Sequence, residues 1–174
     1  DDKHFHKDVR EMDGREYEGK VDVLVWGFPC TSYSIAGLRK GMDDEKTGDL
    51  FHQGLRILKQ CKPKYTIIEN VKGLLSIDGG KTMELIMRDL RDAGYFCHYE
   101  VINSKDYGVP QNRERVFIIG FLDHEDYYRF QFAPKQPLNK RLKDVLEPNV
   151  DEKYYLSEIA IKGFQAHAER MAER

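Results

Sequence analysis

Cysteine is scarce in this chain, and the three present, Cys30, Cys61 and Cys97, stand far apart. An odd, dispersed set points away from a disulfide framework, and the lack of close Cys/His pairs points away from a metal site. Long apolar runs are missing as well. Nothing approaches the roughly 18 consecutive apolar residues of a membrane span, and residues 1–6 (DDKHFH) lack the apolar core of a secretory signal. Neither sign of charge dominates: 28 Lys and Arg stand against 30 Asp and Glu, a formal net charge of -2. That balance argues against binding nucleic acid by bulk attraction but leaves room for one local basic face. Internal repeats and low-complexity runs do not occur. What is there is the composition of a folded domain, 40% hydrophobic and 33% charged, expected in a reducing, cytoplasmic compartment and not in a membrane.

Short β-rich runs alternate with helix-period segments, which predicts an α/β domain on a mostly parallel sheet. Residues 21–26 (VDVLVW) form a nearly unbroken apolar run, as a central strand covered on both faces would. Residues 28–47 are too long and too polar for a simple connector and are expected to form a lid. Leu50, Phe51, Leu55, Ile57 and Leu58 recur at helical spacing before Pro63, so a helix is predicted over 49–61. A second strand follows at 65–68, with Glu69 and Asn70 at its carboxyl end. A second helix spans 81–93 and is capped by Gly94, and strands follow at 95–102 and 115–121 around the polar segment 103–114. Residues 123–149 hold Pro134, Pro137 and Pro148 and are predicted as loop or linker with one short helical pattern at 142–146. A final helix begins after Ser157, a plausible N-cap.

In open α/β sheets the reactive groups gather where strands end. Three polar clusters sit there: Gly27-Phe28-Pro29-Cys30, Glu69-Asn70-Val71, and Gln111-Asn112-Arg113-Glu114-Arg115. Cys61 and Cys97 lie in apolar contexts and suit buried positions. Cys30 instead follows a proline and precedes Thr31, Ser32, Tyr33 and Ser34, so its thiol is a candidate nucleophile. Glu69, at the end of an apolar strand, is a candidate proton donor. Arg113 and Arg115 alternate along a strand and would present their planar forks to one side.

Taken in order, these clusters resemble the motifs of the cytosine-C5 DNA methyltransferases, bacterial type. Gly27 to Ser34 resembles the family's Pro-Cys nucleophile motif and Gly48-Asp49-Leu50-Phe51 its next motif. Glu69-Asn70-Val71 is similar to the Glu-Asn-Val motif, and Gln111 to Arg115 to the Gln-x-Arg-x-Arg motif, preceded by Asp106-Tyr107-Gly108-Val109-Pro110. The resemblance implies a Rossmann-like methyltransferase fold that uses S-adenosylmethionine and acts on double-stranded DNA with no metal. It implies that Cys30 attacks C6 of a flipped-out cytosine, Glu69 holds the base and supplies a proton, and Arg115 and Arg113 bind O2 or order the site. Phe28, Ser32, Asn70 and Gln111 are implied at the substrate, and Asp8, Gly27, Pro29 and Leu50 at the cofactor. One branch of the family acts on transfer RNA with the same arrangement, although Gly27-Phe28 before Pro29 looks more like the DNA enzymes. A module that kept the fold without the chemistry is a third reading, and the intact Cys30, Glu69, Arg113 and Arg115 set argues against it.

The family's first strand with its Phe-x-Gly-x-Gly loop is missing from this sequence, as is its final motif. Residues 1–122 are therefore expected to be an incomplete catalytic core, and 123–174 a linker and the start of a target-recognition region. A fragment of a longer enzyme is the expected explanation, with a split enzyme completed by a second polypeptide as the other. On its own the chain is expected to bind S-adenosylmethionine weakly or not at all and to show no sequence preference on DNA.

Overall fold

A computed structural model describes residues 8–29 and 50–172. The chain divides into two compact units, residues 1–139 and 140–174.

The first unit is an α/β layer structure. Strand β1 (Val23–Gly27) leads to helix α1 (Leu50–Cys61), strand β2 (Tyr65–Val71), helix α2 (Lys81–Asp92) and strands β3 (Phe96–Asn103) and β4 (Glu114–Phe121). The spacing of apolar residues in α1 buries Phe51, Leu55, Ile57, Leu58 and Cys61 on one face. The helix stops because Lys62 turns to φ 48 before Pro63, whose ring disfavours helical backbone in the residue ahead of it. Helix α2 ends where Gly94 takes φ 93, so that the Gly94 amide donates to Arg91 O and the Tyr95 amide to Leu90 O. That paired bonding satisfies the last carbonyls of the helix.

The sheet order is β1-β2-β4-β3. Strands β1 and β2 pair in parallel, whereas β4 is antiparallel to both β2 and β3. Three of the four strands therefore run one way, as a mostly parallel sheet requires. Two of the three pairings are nonetheless antiparallel, because the reversed β4 inserts between the second and third strands instead of adding at an edge.

Register sorts the side chains onto two faces. Ile68, Val116 and Ile118 share one face and join Phe51, Leu55 and Leu58 of α1 and Met83, Ile86 and Leu90 of α2 in the core. Each of these side chains, fully buried, contributes about 1.5–3 kcal/mol. Glu69, Phe117 and Arg115 lie on the opposite face, with Ile102 and His98 of β3.

Strand β1 departs from the expected central strand covered on both faces. It is the edge of the described sheet: Leu24 and Trp26 turn to α1, while Val25 is 66% exposed. Gly54 of α1 makes room for the Trp26 indole, since a Cβ there would stand 2.1 Å from the ring. The segment after Phe121 also differs from the expected linker. Helix α3 (His124–Arg129) packs back on the sheet through Tyr127, which stacks on His98 at 4.1 Å, and Tyr65 donates to Asp126 at 2.7 Å. The short helix was not visible as periodicity because six residues make less than two turns.

In the second unit, helical turns at Leu142–Asp144 and Glu152–Tyr154 precede helix α4 (Glu158–Ala172). Ser157 accepts the Ala160 amide as its N-cap, and the helix buries none of its residues. No helix among the described residues is long and apolar enough to cross a membrane.

Candidate active site

The site forms where β1 and β2 end and the antiparallel β4 begins. Glu69 is the fifth residue of β2 and pairs in register with Gly27 on one side and Phe117 on the other. Its carboxylate receives Arg115 Nε at 2.9 Å, and Arg113 Nη2 stands 3.9 Å away. The two arginines are two residues apart on β4 and its entry, so they reach the same face. Arg115 Nη1 also donates to the carbonyl of Glu114, which limits how far its fork can swing. The Glu69 side chain remains 40% exposed, so the carboxylate is paired yet reachable from solvent. Gly27 contributes to this: a Cβ at that position would come within 3.0 Å of the Glu69 carbonyl and 3.7 Å of its carboxylate.

Beside Glu69 is a cavity of about 270 Å³ lined by Arg113, Arg115, Phe117, Ile102, Tyr107 and Val109. Its rim is shaped by the turn Ser104–Tyr107, which Asn103 caps. The buried Asn103 side chain accepts the amides of Lys105 and Arg113 and donates to Asn112, and Ser104 donates its amide to the Arg113 carbonyl. The Arg113 peptide is thus held from both sides. Tyr107 and Val109 belong to the Asp106 to Pro110 stretch whose similarity to the family is evident in sequence, but no role for them followed from that. Asn103 carried no sequence signal at all.

A second cavity, about 350 Å³, wraps the edge of β1 and is mostly apolar, lined by Val9, Met12, Leu24, Trp26, Leu50 and Ile57 with Gly27 and Gly54. It brings together two of the residues expected at the cofactor, Gly27 and Leu50. Asp8 precedes Val9 and caps its turn by accepting the Arg10 amide at 2.9 Å. Pro29 does not line the cavity. Gly27 lines this cavity and is also the register neighbour of Glu69, which lines the first, so paired positions on adjacent strands border the two cavities.

Other expected residues are placed differently. Asn70, expected at the substrate, turns into the core at 3% exposure, where it donates to the Phe28 carbonyl at 2.8 Å and accepts the Val71 amide. Alternation along β2 puts it on the face opposite Glu69. Phe28 is likewise buried, its ring edge-on to Phe51 at 5.0 Å, as an aromatic side chain next to an apolar helix packs more favourably than in solvent. Gln111 is exposed and does not line the Glu69 cavity. Cys30, Ser32 and all of the lid expected over 28–47 except Phe28 and Pro29 lie outside the described residues. Of the other cysteines, Cys61 is buried and its thiol is pushed up by that burial, and burial pushes Cys97 to about 12. Neither is a nucleophile at neutral pH.

Residues 1–173 match the family described as C-5 cytosine-specific DNA methylase. Among curated proteins, the type II methyltransferase M.Bsp6I of Bacillus sp. (strain RFL6) is 47% identical over 140 residues, covering 79% of this chain and 44% of that protein. The type II methyltransferase M.HhaI of Haemophilus parahaemolyticus is 39% identical over 157 residues, covering 83% and 48%. This chain thus spans about half the length of the curated relatives it matches. The crystal structure of the S. pombe Dnmt2 methyltransferase superposes with a TM-score of 0.67 at 21% identity over 94% of this chain and 52% of that one, a likeness of fold. Because the family match runs through nearly every residue and the curated relatives agree with it, the chain belongs to the C-5 cytosine-specific DNA methylase family.

Proposed function

We propose that this chain carries the catalytic groups of an enzyme that methylates C5 of cytosine in double-stranded DNA with S-adenosylmethionine as donor. The observation that carries the reading is the Glu69 carboxylate, paired with Arg115 at 2.9 Å and still open to solvent, one register position from an apolar cavity. The cavity suits the donor: Trp26, Leu24, Val9, Met12 and Leu50 offer an apolar slot for an adenine ring, and Asp8 adjoins it. When bound there, S-adenosylmethionine supplies the methyl group.

The remaining chemistry is the chain's own. A cytosine turned out of the duplex lies in the cavity beside Glu69, because C6 cannot be reached inside the stack. Cys30, two residues beyond Phe28 with its Asn70-anchored carbonyl, attacks C6 as the thiolate. Glu69, after taking up a proton from solvent, hydrogen-bonds the N3 and N4 edge and passes that proton to N3, so that as the S–C6 bond forms the π pair of the C5=C6 bond moves to C5 without leaving a full negative charge on the ring. Arg115 holds the carboxylate in place and, with Arg113, faces O2 of the base. After C5 takes the methyl group, loss of its proton to solvent, return of the N3 proton to Glu69 and departure of the Cys30 thiolate restore the aromatic ring. Asn70 and Phe28 position the strand end that leads to Cys30 and do not touch the base.

The test is a trap. The protein, expressed to the ends of its reading frame, is incubated with S-adenosylmethionine and duplex DNA containing 5-fluorocytosine, where fluorine at C5 cannot leave as a proton. A covalent protein–DNA adduct is expected, absent in Cys30→Ser and slowed in Glu69→Gln by about 10²–10⁴-fold, the usual range for a lost general acid. No adduct with DNA from a folded, cofactor-binding protein would overturn the reading, and an adduct only with 5-fluorocytosine RNA would move the substrate to RNA.

A further inference from the structure

One wall of the apolar cavity is built by a short segment whose carbonyls are held from α1. Residues 8–12 form a single turn, Val9–Glu11, that buries none of its residues and has two backbone bonds of its own, from the amide of Glu11 to Asp8 O and from that of Met12 to Val9 O. Its anchor comes from α1. Arg56 Nη2 donates to the Val9 carbonyl at 3.0 Å and Nη1 to the Met12 carbonyl at 2.8 Å, with Arg10 O a further 3.5 Å contact. The rest of the guanidinium is held on its own helix, Nε by Gln53 at 2.9 Å and Nη1 by Gln60 at 3.0 Å. Gln60 in turn accepts the Gly14 amide, where the chain lies so close to α1 that a Cβ on Gly14 would stand 2.9 Å from the Gln60 Cβ.

The two carbonyls gripped most closely belong to Val9 and Met12, the two residues of this segment that line the cavity. The partners are neutral oxygens, so geometry and not ion pairing is what Arg56 supplies. A planar fork with fixed donor directions can span two carbonyls and two side-chain amides at once, and a lysine ammonium cannot reproduce it.

We propose that Arg56 is a positioning residue for the cofactor: it sets the distance between the Val9–Met12 wall and the Trp26–Leu50 wall, and so the width of the slot that takes the adenine. The inference rests on the reading of this cavity as the S-adenosylmethionine site. Arg56 touches no reacting atom, so its loss acts on cofactor binding and leaves the chemical step alone.

The experiment measures the dissociation constant of S-adenosylmethionine by calorimetry, expected to move in parallel with its KM, and methyl transfer to duplex DNA with the protein expressed to the ends of its reading frame, varying cofactor and DNA separately. Arg56→Lys is expected to raise KM for S-adenosylmethionine by about tenfold, in line with the loss of one or two hydrogen bonds from a charged donor. Arg56→Met is expected to raise it further, while kcat at saturating cofactor and KM for DNA stay within about twofold of wild type. Arg15→Ala, which removes the exposed Arg15–Asp13 pair from the neighbouring turn, serves as control and leaves the cofactor KM unchanged. Thermal midpoints are recorded for each variant, and if Arg56→Met does not fold, Arg56→Lys, which keeps the stem and charge, decides. An unchanged cofactor KM in the Arg56 variants, with or without a lower midpoint, would leave Arg56 a purely structural clasp and overturn the proposal. If the wild type itself neither binds the cofactor nor transfers methyl, the reading of the cavity fails first and the proposal falls with it.

Discussion

At the scale of single residues, the site depends on which charged and thiol groups are held in a reactive state and which are not. Glu69 is paired by Arg115 and left accessible by the absence of a side chain at Gly27, a combination that neither residue achieves alone. The two described thiols are the opposite case. Burial keeps Cys97 protonated up to about 12 and raises Cys61 as well. Iodoacetamide applied to the native protein at about pH 8 is expected to spare both and to label them only after unfolding, since the thiolate is the reacting species. Peptide mapping by mass spectrometry checks this, and native labelling of Cys97 would show that its surroundings are not as dry as described. A pH dependence follows. Below about 9 the Cys97 thiol is protonated in folded and unfolded chains alike, so its contribution is intact. As pH rises from 9.0 toward 12 the unfolded chain gives up the proton first, and stability falls through that window. Urea midpoints should decline across this range, less steeply in Cys97→Ala.

At the scale of elements, the strands and the longer helices followed from periodicity, the six-residue His124–Arg129 helix did not, and ends followed wherever a residue type dictates backbone shape. Gly94 is the case in point: its φ of 93 closes α2, and its place directly after the helix-period segment 81–93 identifies it as the cap. Gly94→Ala is expected to destabilise the protein by about 1 kcal/mol or somewhat more, with Gly94→Asn milder, because an L side chain strains this backbone. A chemical-denaturation midpoint that does not move would show that the turn can be made another way. The limits of β2 were less evident. Glu69 and Asn70 lie inside the strand, which runs to Val71, and strand alternation then sends one outward and the other into the core. A motif of adjacent polar residues does not announce that split: Asn70, expected at the base, is buried and donates to the Phe28 carbonyl.

At the scale of the whole molecule, the sheet order sets which parts open last. Strands β2 and β4 have neighbours on both sides, whereas β1 and β3 are edges of the described sheet. Amide hydrogen exchange is expected to be slowest at Ile67, Ile68, Val116 and Ile118 and clearly faster along β1, since exchange tracks local opening. Equal protection in β1 would mean that its exposed Val23 and Val25 face is covered in solution. The rigid centre also carries Glu69 and Arg115, so the carboxylate and its partner sit on the strands least given to fluctuate. The apolar cavity lies at the more open edge and relies on the Arg56 clasp for its outer wall.

The sequence by itself determined the α/β class, the longer helices, the strand runs and the family, because apolar periodicity, glycine and proline placement and ordered polar motifs are local properties. Only the tertiary structure decided that β4 runs backwards between β2 and β3, that Gly27 stands next to Glu69, that Phe28 and Asn70 turn inward, and that Arg56 holds the Val9–Met12 turn. Each of those includes a meeting of residues 40 or more positions apart, in register or across a helix face, and pairing of that kind is set by which arrangement buries the most apolar surface with every polar group satisfied.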